Sequence, residues 1–486
     1  MLDKKQYDAE MESVRKDTAK ILQGYLDDNI RFIERLNGHK IVPAKSDTAS
    51  IERVKSWTIP RAGRDYREVS REMIDEVYNN GMQLQHPRFF SFVTTAVSPY
   101  SVMGSVLSDV YNLNCGGADL ALQSAILEEK LLKWMGELAG YADLEKAGGV
   151  FTSGGSVSNL TGIIAARESI LASRDYSEGT AYVSDQTHSS VRKGLRMAGI
   201  RETQIRTIPT DEDFRMRTDL LREAVKADIA CGKKPFIAVG TIATTNTGSI
   251  DPLAKIGDIC EEFGMWFHID GAFGGSVLLS DIYRNLVKGV EKADSFSWDF
   301  HKWALQTYSC SACVVKDRAT LINAFIEHPE YLDDVQNEDY ASGWDLGMEM
   351  SRPARHLKLW FTLQAMGTDR MADIIDYAFY NAKTAEKKIS ALSGWEIVSH
   401  ASCGTLNFRY APKDVDPSRY NELNKRISEA IAESGFAYMA TTELRGMCVL
   451  RMCIINGNTT TENVLETIDF LDKTAIEQTR ALQCGK

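Results

Sequence analysis

Apolar residues near the start of the chain recur at helical spacing. Between about Lys4 and Leu36, Tyr7, Met11, Val14, Ile21, Tyr25, Leu26 and Phe32 stand among alternating charges, which predicts an amphipathic helical arm. One such helix is marginal alone, so its apolar face is expected to rest on the main body or on a second subunit. Thr58–Gly63 reads as linker and Glu68–Gly81 as a further helix. In Gln85–Val93 a proline introduces an aromatic cluster, which favours extended chain. Leu122, Ile126, Leu127, Leu131, Trp134 and Leu138 then predict a second amphipathic helix ending near Gly140.

Beyond it the pattern changes to short apolar runs separated by helical stretches: Ala181–Ser184, Ile205–Ile208, Phe236–Thr241, Trp266–Asp270, Ser295–Trp298 and Ala312–Val315. Strand, helix, strand repeated in this way predicts an α/β fold, with a mostly parallel sheet covered by helices on both faces. After Trp360, helical Asp369–Leu392 and Ser418–Ser434 flank strand-like Trp395–Val398, Thr405–Tyr410 and Met447–Ile454, and a last helix spans about Glu462–Leu482. The expected organisation is an N-terminal helical arm and linker over 1–97, a large α/β domain over 98–364 and a smaller C-terminal α+β domain over 365–486.

Composition narrows the function. The 486 residues carry a formal net charge of −11, so a stripe for nucleic-acid backbone or anionic lipid is not expected, and small molecules are the expected partners. The nine cysteines are odd in number and scattered, which reads as free thiols in a reducing compartment. No apolar core follows Met1–Gln6 as a secretory signal, and no apolar run is long enough to span a bilayer, so the expected location is cytoplasmic.

Candidate chemistry gathers at the carboxyl ends of the predicted strands, where open α/β sheets bind ligands. Gly148–Ser156 is glycine-rich and runs into helical Val157–Arg174, a turn that would turn backbone N–H groups and a helix dipole on one spot and so cradle a phosphate. An ordinary helix cap would look the same. It matches neither the Walker pattern nor the dinucleotide fingerprint. Asp185–His188, Thr244–Asn246, Asp270 and His301–Lys302 fall at the same end of the sheet. A carboxylate ending an apolar strand needs a cationic partner, and Lys302 is bracketed by Trp298, Phe300 and Trp303, poor surroundings for an ammonium. A pyridinium held by Asp270 at its ring nitrogen and by Lys302 at its aldehyde would satisfy both.

With these residues the chain resembles the group II pyridoxal-phosphate decarboxylases, and among them the bacterial aromatic L-amino-acid (tryptophan-type) enzymes. The likeness runs from His86-Pro87-Arg88-Phe89-Phe90 through Ser184–Ser190, His268–Ala272 and His301-Lys302-Trp303 to His328–Leu332 and Arg355–Trp360. It implies the fold-type I, aminotransferase-like architecture, pyridoxal 5'-phosphate as cofactor, and a homodimer with its site at the subunit interface. Position by position, it implies that Lys302 attaches the cofactor covalently, that Asp270 keeps its ring nitrogen protonated, and that His188 stacks on the ring with Thr245 beneath. Gly155, Ser156 and His301 would bind the phosphate, and Tyr331 would protonate the substrate carbon after carbon dioxide leaves. In relatives with phenylalanine at the Tyr331 position, an aldehyde tends to form instead of the amine.

Two positions depart from the family pattern. Phe300 stands where proline or alanine is common, and Asn114 takes a substrate-pocket position that is otherwise apolar or histidine. Phe92 would supply an aromatic wall suited to indole or phenyl, and the Asn114 amide could bond a phenol or an indole N–H, so tryptophan, phenylalanine and tyrosine all stay open as substrates.

Rival readings also stand. An acidic amino acid such as glutamate or cysteine sulfinate would suit a decarboxylase in which Arg88 or Arg355 grips the side chain, although Arg355 could equally hold a structural ion pair. A catalytically silent dimer would have no chemical reason to keep Lys302, Asp270, His188 and Tyr331 together. Cys310 and Cys313 form half a tetrahedral site at most, and the eight histidines include no helical His-x-x-x-His pair, so no metal is expected.

Overall fold

The computed structural model describes residue 41 and residues 48–171, 176–327 and 340–484. The stretch Lys4–Leu36 and Tyr331 lie outside these residues.

Seven strands build the larger sheet: β1 (Gly148–Thr152), β2 (Gly179–Ser184), β3 (Ile205–Ile208), β4 (Lys234–Thr241), β5 (Trp266–Asp270), β6 (Ser295–Asp299) and β7 (Ser311–Val315). Their spatial order is β1-β7-β6-β5-β4-β2-β3. β3, β2, β4, β5 and β6 pair in parallel, whereas β7 is antiparallel to both β6 and β1. β7 alone therefore opposes the rest, and six strands share one carboxyl end. The six expected strands all form, while β1 was concealed by its two glycines, which weaken strand propensity. The helix after it begins at Gly155, two residues earlier than its apolar pattern suggests.

Alternation along the strands sorts side chains between two cores. Phe267, Ile269, Phe296 and Trp298 enter one apolar cluster, and Ile237, Val239 and Trp266 the other. Trp266, His268 and Asp270 consequently share one face of β5, as Ser295, Ser297 and Asp299 share one face of β6. Helix Gly155–Leu171 covers that face. It can lie close because Gly162 has no side chain: a Cβ there would stand 2.7 Å from the His268 ring.

A second, antiparallel sheet has the order β10 (Thr441–Leu444), β11 (Met447–Cys453), β9 (Thr405–Tyr410), β8 (Trp395–Ser402). Helices Thr368–Ser390 and Tyr420–Ser434 pack on it and helix Thr461–Gln483 packs on those two, around a separate core. Helix Thr368–Ser390 serves both cores, with Ile375, Ala378 and Phe379 in the larger and Ala382, Ala385 and Ile389 in the smaller.

Residues near 90, expected to belong with the N-terminal arm, are stitched into this smaller unit. Phe90 N–H donates to Tyr438 O at 2.9 Å, Cys453 N–H to Phe90 O at 2.9 Å, and Tyr438 N–H to Arg88 O at 3.0 Å. The Phe90 side chain is fully buried in the smaller core.

Candidate active site

A cavity of about 360 Å³ opens at the common carboxyl end of the sheet. Its lining takes Ser153 to Ser156 from the turn after β1, His188 and Ser190 from beyond β2, Thr245 from beyond β4, Asp270 from β5, and Asp299, His301 and Lys302 from the end of β6. Seven residues singled out in the sequence, Gly155, Ser156, His188, Thr245, Asp270, His301 and Lys302, thus meet in one place. Phe92 and Asn114 do not line this cavity. Phe92 is half exposed, and Asn114 Oδ1 accepts from the N–H groups of Gly116 and Arg352 at 3.0 and 3.3 Å.

Asp270 is almost fully buried and accepts from Asn159 Nδ2 and Ala272 N–H, each at 3.1 Å, and from Ser297 Oγ at 3.3 Å. Lys302 Nζ lies 3.0 Å from Asp299 Oδ2. Burial pushes the lysine's proton affinity down, but Asp299 and Asp270 outweigh it and hold the ammonium above its ordinary value. Asp299 is itself buried, and among the described residues its Oδ1 has no hydrogen-bond partner.

His301 is pushed below the usual histidine value by burial, with Asp299 opposing, and so favours the neutral ring. Its ring packs tilted against Tyr308, centroids 4.7 Å apart, and Tyr308 also lines the cavity. His188 begins helix Ser189–Met197, and its Nδ1 accepts from Ser190 N–H at 3.2 Å.

Backbone at the helix start faces the cavity directly. The first N–H groups of helix Gly155–Leu171 have no intrahelical acceptor, and a Cβ on Gly155 would come within 2.7 Å of Asp299 Oδ2 and 2.9 Å of Ala272 Cβ. The loop carrying Thr245 is braced by the smaller unit: Asn246 O accepts from Asn407 Nδ2 at 3.0 Å and from Arg451 Nε at 3.2 Å. Arg451 Nη1 also donates to Phe92 O at 2.8 Å, linking that loop to the expected aromatic wall.

Asn159, Ser190, Asp299 and Tyr308 carry no role in the sequence pattern alone. Asn159 had one signal, since it stands one helical turn after Gly155 and faces the same way. Asp299 and Ser190 stand within the motifs already singled out. Both arginines offered for an acidic substrate are engaged. Arg355 forms a two-pronged pair with Glu349 at 2.6 and 2.8 Å, and Arg88 pairs with Glu466 and stacks on Phe436. Among the described residues no cluster of histidine, cysteine and carboxylates is suited to a metal, and no helix is long and apolar enough to cross a membrane.

Residues 52–411 match the family described as Pyridoxal-dependent decarboxylase conserved domain. An aromatic-L-amino-acid decarboxylase of Bacillus atrophaeus is 31% identical over 458 residues, covering 93% of this chain and 95% of that protein. An L-2,4-diaminobutyrate decarboxylase of Acinetobacter baumannii is 27% identical over 430 residues, covering 84% of each. The solved structure of Oryza sativa TDC with PLP and tryptamine is similar in fold, with a TM-score of 0.89 at 24% identity, covering 95% of this chain and 98% of that one.

Proposed function

Because the chain belongs to the pyridoxal-dependent decarboxylase family, we propose that it decarboxylates an aromatic L-amino acid, tryptophan, phenylalanine or tyrosine, to the arylalkylamine and carbon dioxide. Its cofactor is pyridoxal 5'-phosphate and its fold is that of the fold-type I enzymes. The cavity fits that group: a buried carboxylate faces it, a lysine amine enters it, and a helix start with room only for glycine at 155 bounds it.

When bound, the cofactor supplies a protonated ring that accepts the electron pair left on the substrate carbon as carbon dioxide departs. Asp270 holds the ring nitrogen's proton by its charge. The turn Ser153–Ser156 presents N–H groups and hydroxyls to the phosphate, with His301 beside it. Lys302 is the amine for covalent attachment, and Asp299 at 3.0 Å is placed to accept the proton that the amine must lose. His188 and Thr245, both lining the cavity, would hold the ring between them. Tyr331 would supply the proton that the substrate carbon takes up.

The aromatic reading is carried by one observation: among the described residues no arginine lines the cavity, whereas Phe273 and Tyr308 do. The engaged states of Arg88 and Arg355 support it against an acidic substrate. The test is a panel of tryptophan, phenylalanine, tyrosine, glutamate, cysteine sulfinate and 2,4-diaminobutyrate, with released amines read by mass spectrometry. Faster turnover of glutamate or diaminobutyrate than of any aromatic substrate would end this reading, and no turnover of any would favour a silent homologue.

The reading includes a homodimer. Met103, Leu107, Val110 and Tyr111 form an exposed apolar stripe on helix Pro99–Tyr111, and their helical spacing suits a covered face. Phe92 and Asn114 keep their proposed substrate roles as groups completed by the second copy. A cytoplasmic setting is supported by nine free cysteines, seven of them buried.

A further inference from the structure

We propose that Asn159 is a positioning residue that fixes the proton arrangement of two cavity groups at once, Asp270 and His188, so that the neutral His188 ring carries its proton on Nε2 at the cavity wall. The functional importance of these two groups rests on the reading above, but the proton arrangement follows from donors and acceptors alone.

The chain of hydrogen bonds starts at an indole. Trp266 Nε1–H can only donate, and it does so to Ser295 Oγ at 2.8 Å. Ser295 must then spend its own proton on His268 Nδ1, 2.7 Å away. His268 is buried and neutral, its proton affinity pushed down to about 4 by burial. With Nδ1 accepting, its single ring proton sits on Nε2 and points to Asn159 Oδ1 at 3.0 Å.

Asn159 divides the chain. Its carbonyl oxygen is taken by His268, so its amide nitrogen faces the other two neighbours, Asp270 Oδ2 at 3.1 Å and Ser190 Oγ at 3.1 Å. A carboxylate accepts only, so Asp270 demands the same amide orientation that Trp266 imposes from the far end. Ser190 Oγ, accepting from Asn159, turns its own O–H to His188 Nδ1 at 2.7 Å. The backbone N–H of Ser190 donates to the same nitrogen at 3.2 Å. His188 Nδ1 is thus an acceptor twice over, and the ring's one proton in its neutral form is on Nε2.

No other assignment of protons satisfies all seven side chains. A reversed Asn159 amide would set two oxygens against each other at Asp270 and two N–H groups against each other at His268. Strand alternation makes the arrangement possible, since 266, 268 and 270 share one face of β5 and 295 lies beside them on β6. Gly162, one turn beyond Asn159, lets the helix approach.

The test uses cofactor-free protein labelled with ¹⁵N histidine, each signal assigned by single histidine-to-glutamine replacement, and two-bond ¹⁵N–¹H correlation spectra at neutral pH. His268 should be neutral, and in both rings the neutral form should carry its proton on Nε2 with Nδ1 accepting. A neutral ring of either residue found with its proton on Nδ1 overturns the proposal. A second arm uses Asn159→Asp, which is nearly isosteric. The new carboxylate beside Asp270 makes the pair share a proton and draws the Ser190 hydroxyl away from His188. The His188 Nδ1 signal should move downfield, and the dissociation constant for pyridoxal phosphate should rise by about tenfold or more. A variant with wild-type His188 signals and wild-type cofactor affinity overturns the positioning role. Should Asn159→Asp not fold, the wild-type spectra still decide. A wild type that does not bind pyridoxal phosphate removes the functional reading, while the cofactor-free spectra separately decide the proton arrangement.

Discussion

At the scale of single residues, the site is a balance of buried charges. Two carboxylates, Asp270 and Asp299, face one ammonium at Lys302. Lys302→Ala removes the cation and the covalent anchor together. The purified variant is expected to lose the visible absorption of bound cofactor, and its turnover should fall by on the order of a thousandfold or more, since residues of one catalytic unit are not replaced by their neighbours. A wild type that stays colourless with added cofactor would contradict this. Tyr331→Phe should still bind the cofactor while slowing amine release by about a hundredfold, the ordinary contribution of a positioned acid. Oxygen uptake and an aldehyde product measured alongside the amine check whether the phenol directs the outcome. Asp270 and Lys302 stood out in the sequence because a buried carboxylate or amine raises the question of its partner, whereas Asp299 did not. Nor did Asn159, because a neutral amide inside an apolar helix acquires its meaning only from the residues the fold brings against it.

At the scale of elements, the approach of helix Gly155–Leu171 to the sheet sets the site's dimensions. Gly162→Ala places a methyl 2.7 Å from the His268 ring and 3.1 Å from Ser295 Oγ. It is expected to cost about 1–3 kcal/mol of stability, as overpacking does, and to weaken cofactor binding through Asn159. Chemical denaturation and a cofactor titration measure the two effects. Strands buried on both faces read clearly, because they are continuous apolar runs. β1 did not, since Gly148 and Gly149 resemble a turn until β7 supplies their partner. β10 did not either: three of its four residues are only partly buried or exposed, so Thr441–Leu444 lacks an apolar signature. The antiparallel direction of β7 likewise depends on pairing that local sequence does not carry.

For the whole molecule, acid sensitivity follows from histidines held neutral. Burial pushes His86, His268 and His356 down to about 4, whereas in the unfolded chain they take up protons near pH 6.5. Between those values the unfolded chain binds more protons, so this stability is complete above pH 6.5 and is lost as pH falls toward 4. Asp251 and Asp294, raised by burial, oppose the trend, but the three histidines outnumber them. Thermal unfolding from pH 7.5 to 4.5 should show a falling midpoint, and His356→Gln should flatten the curve. A second expectation concerns assembly. Leu107→Glu, on the exposed stripe of helix Pro99–Tyr111, should shift sedimentation toward the monomer and lower activity with it, because a charge cannot enter an apolar contact cheaply. The second, antiparallel sheet was readable from the change of pattern after residue 360.

The pairing of Phe90 with Tyr438 and Cys453 has a bearing on biosynthesis. Side-chain bonds in the same seam, such as Asn456 to His86 and Thr459 to Pro87, join positions 370 and 372 residues apart. The smaller unit therefore cannot complete its core on the ribosome until its last third has emerged, and the early segment must wait with an aromatic side chain unsheltered. During that interval nascent chains would be most open to capture by a chaperone or to mispairing with one another.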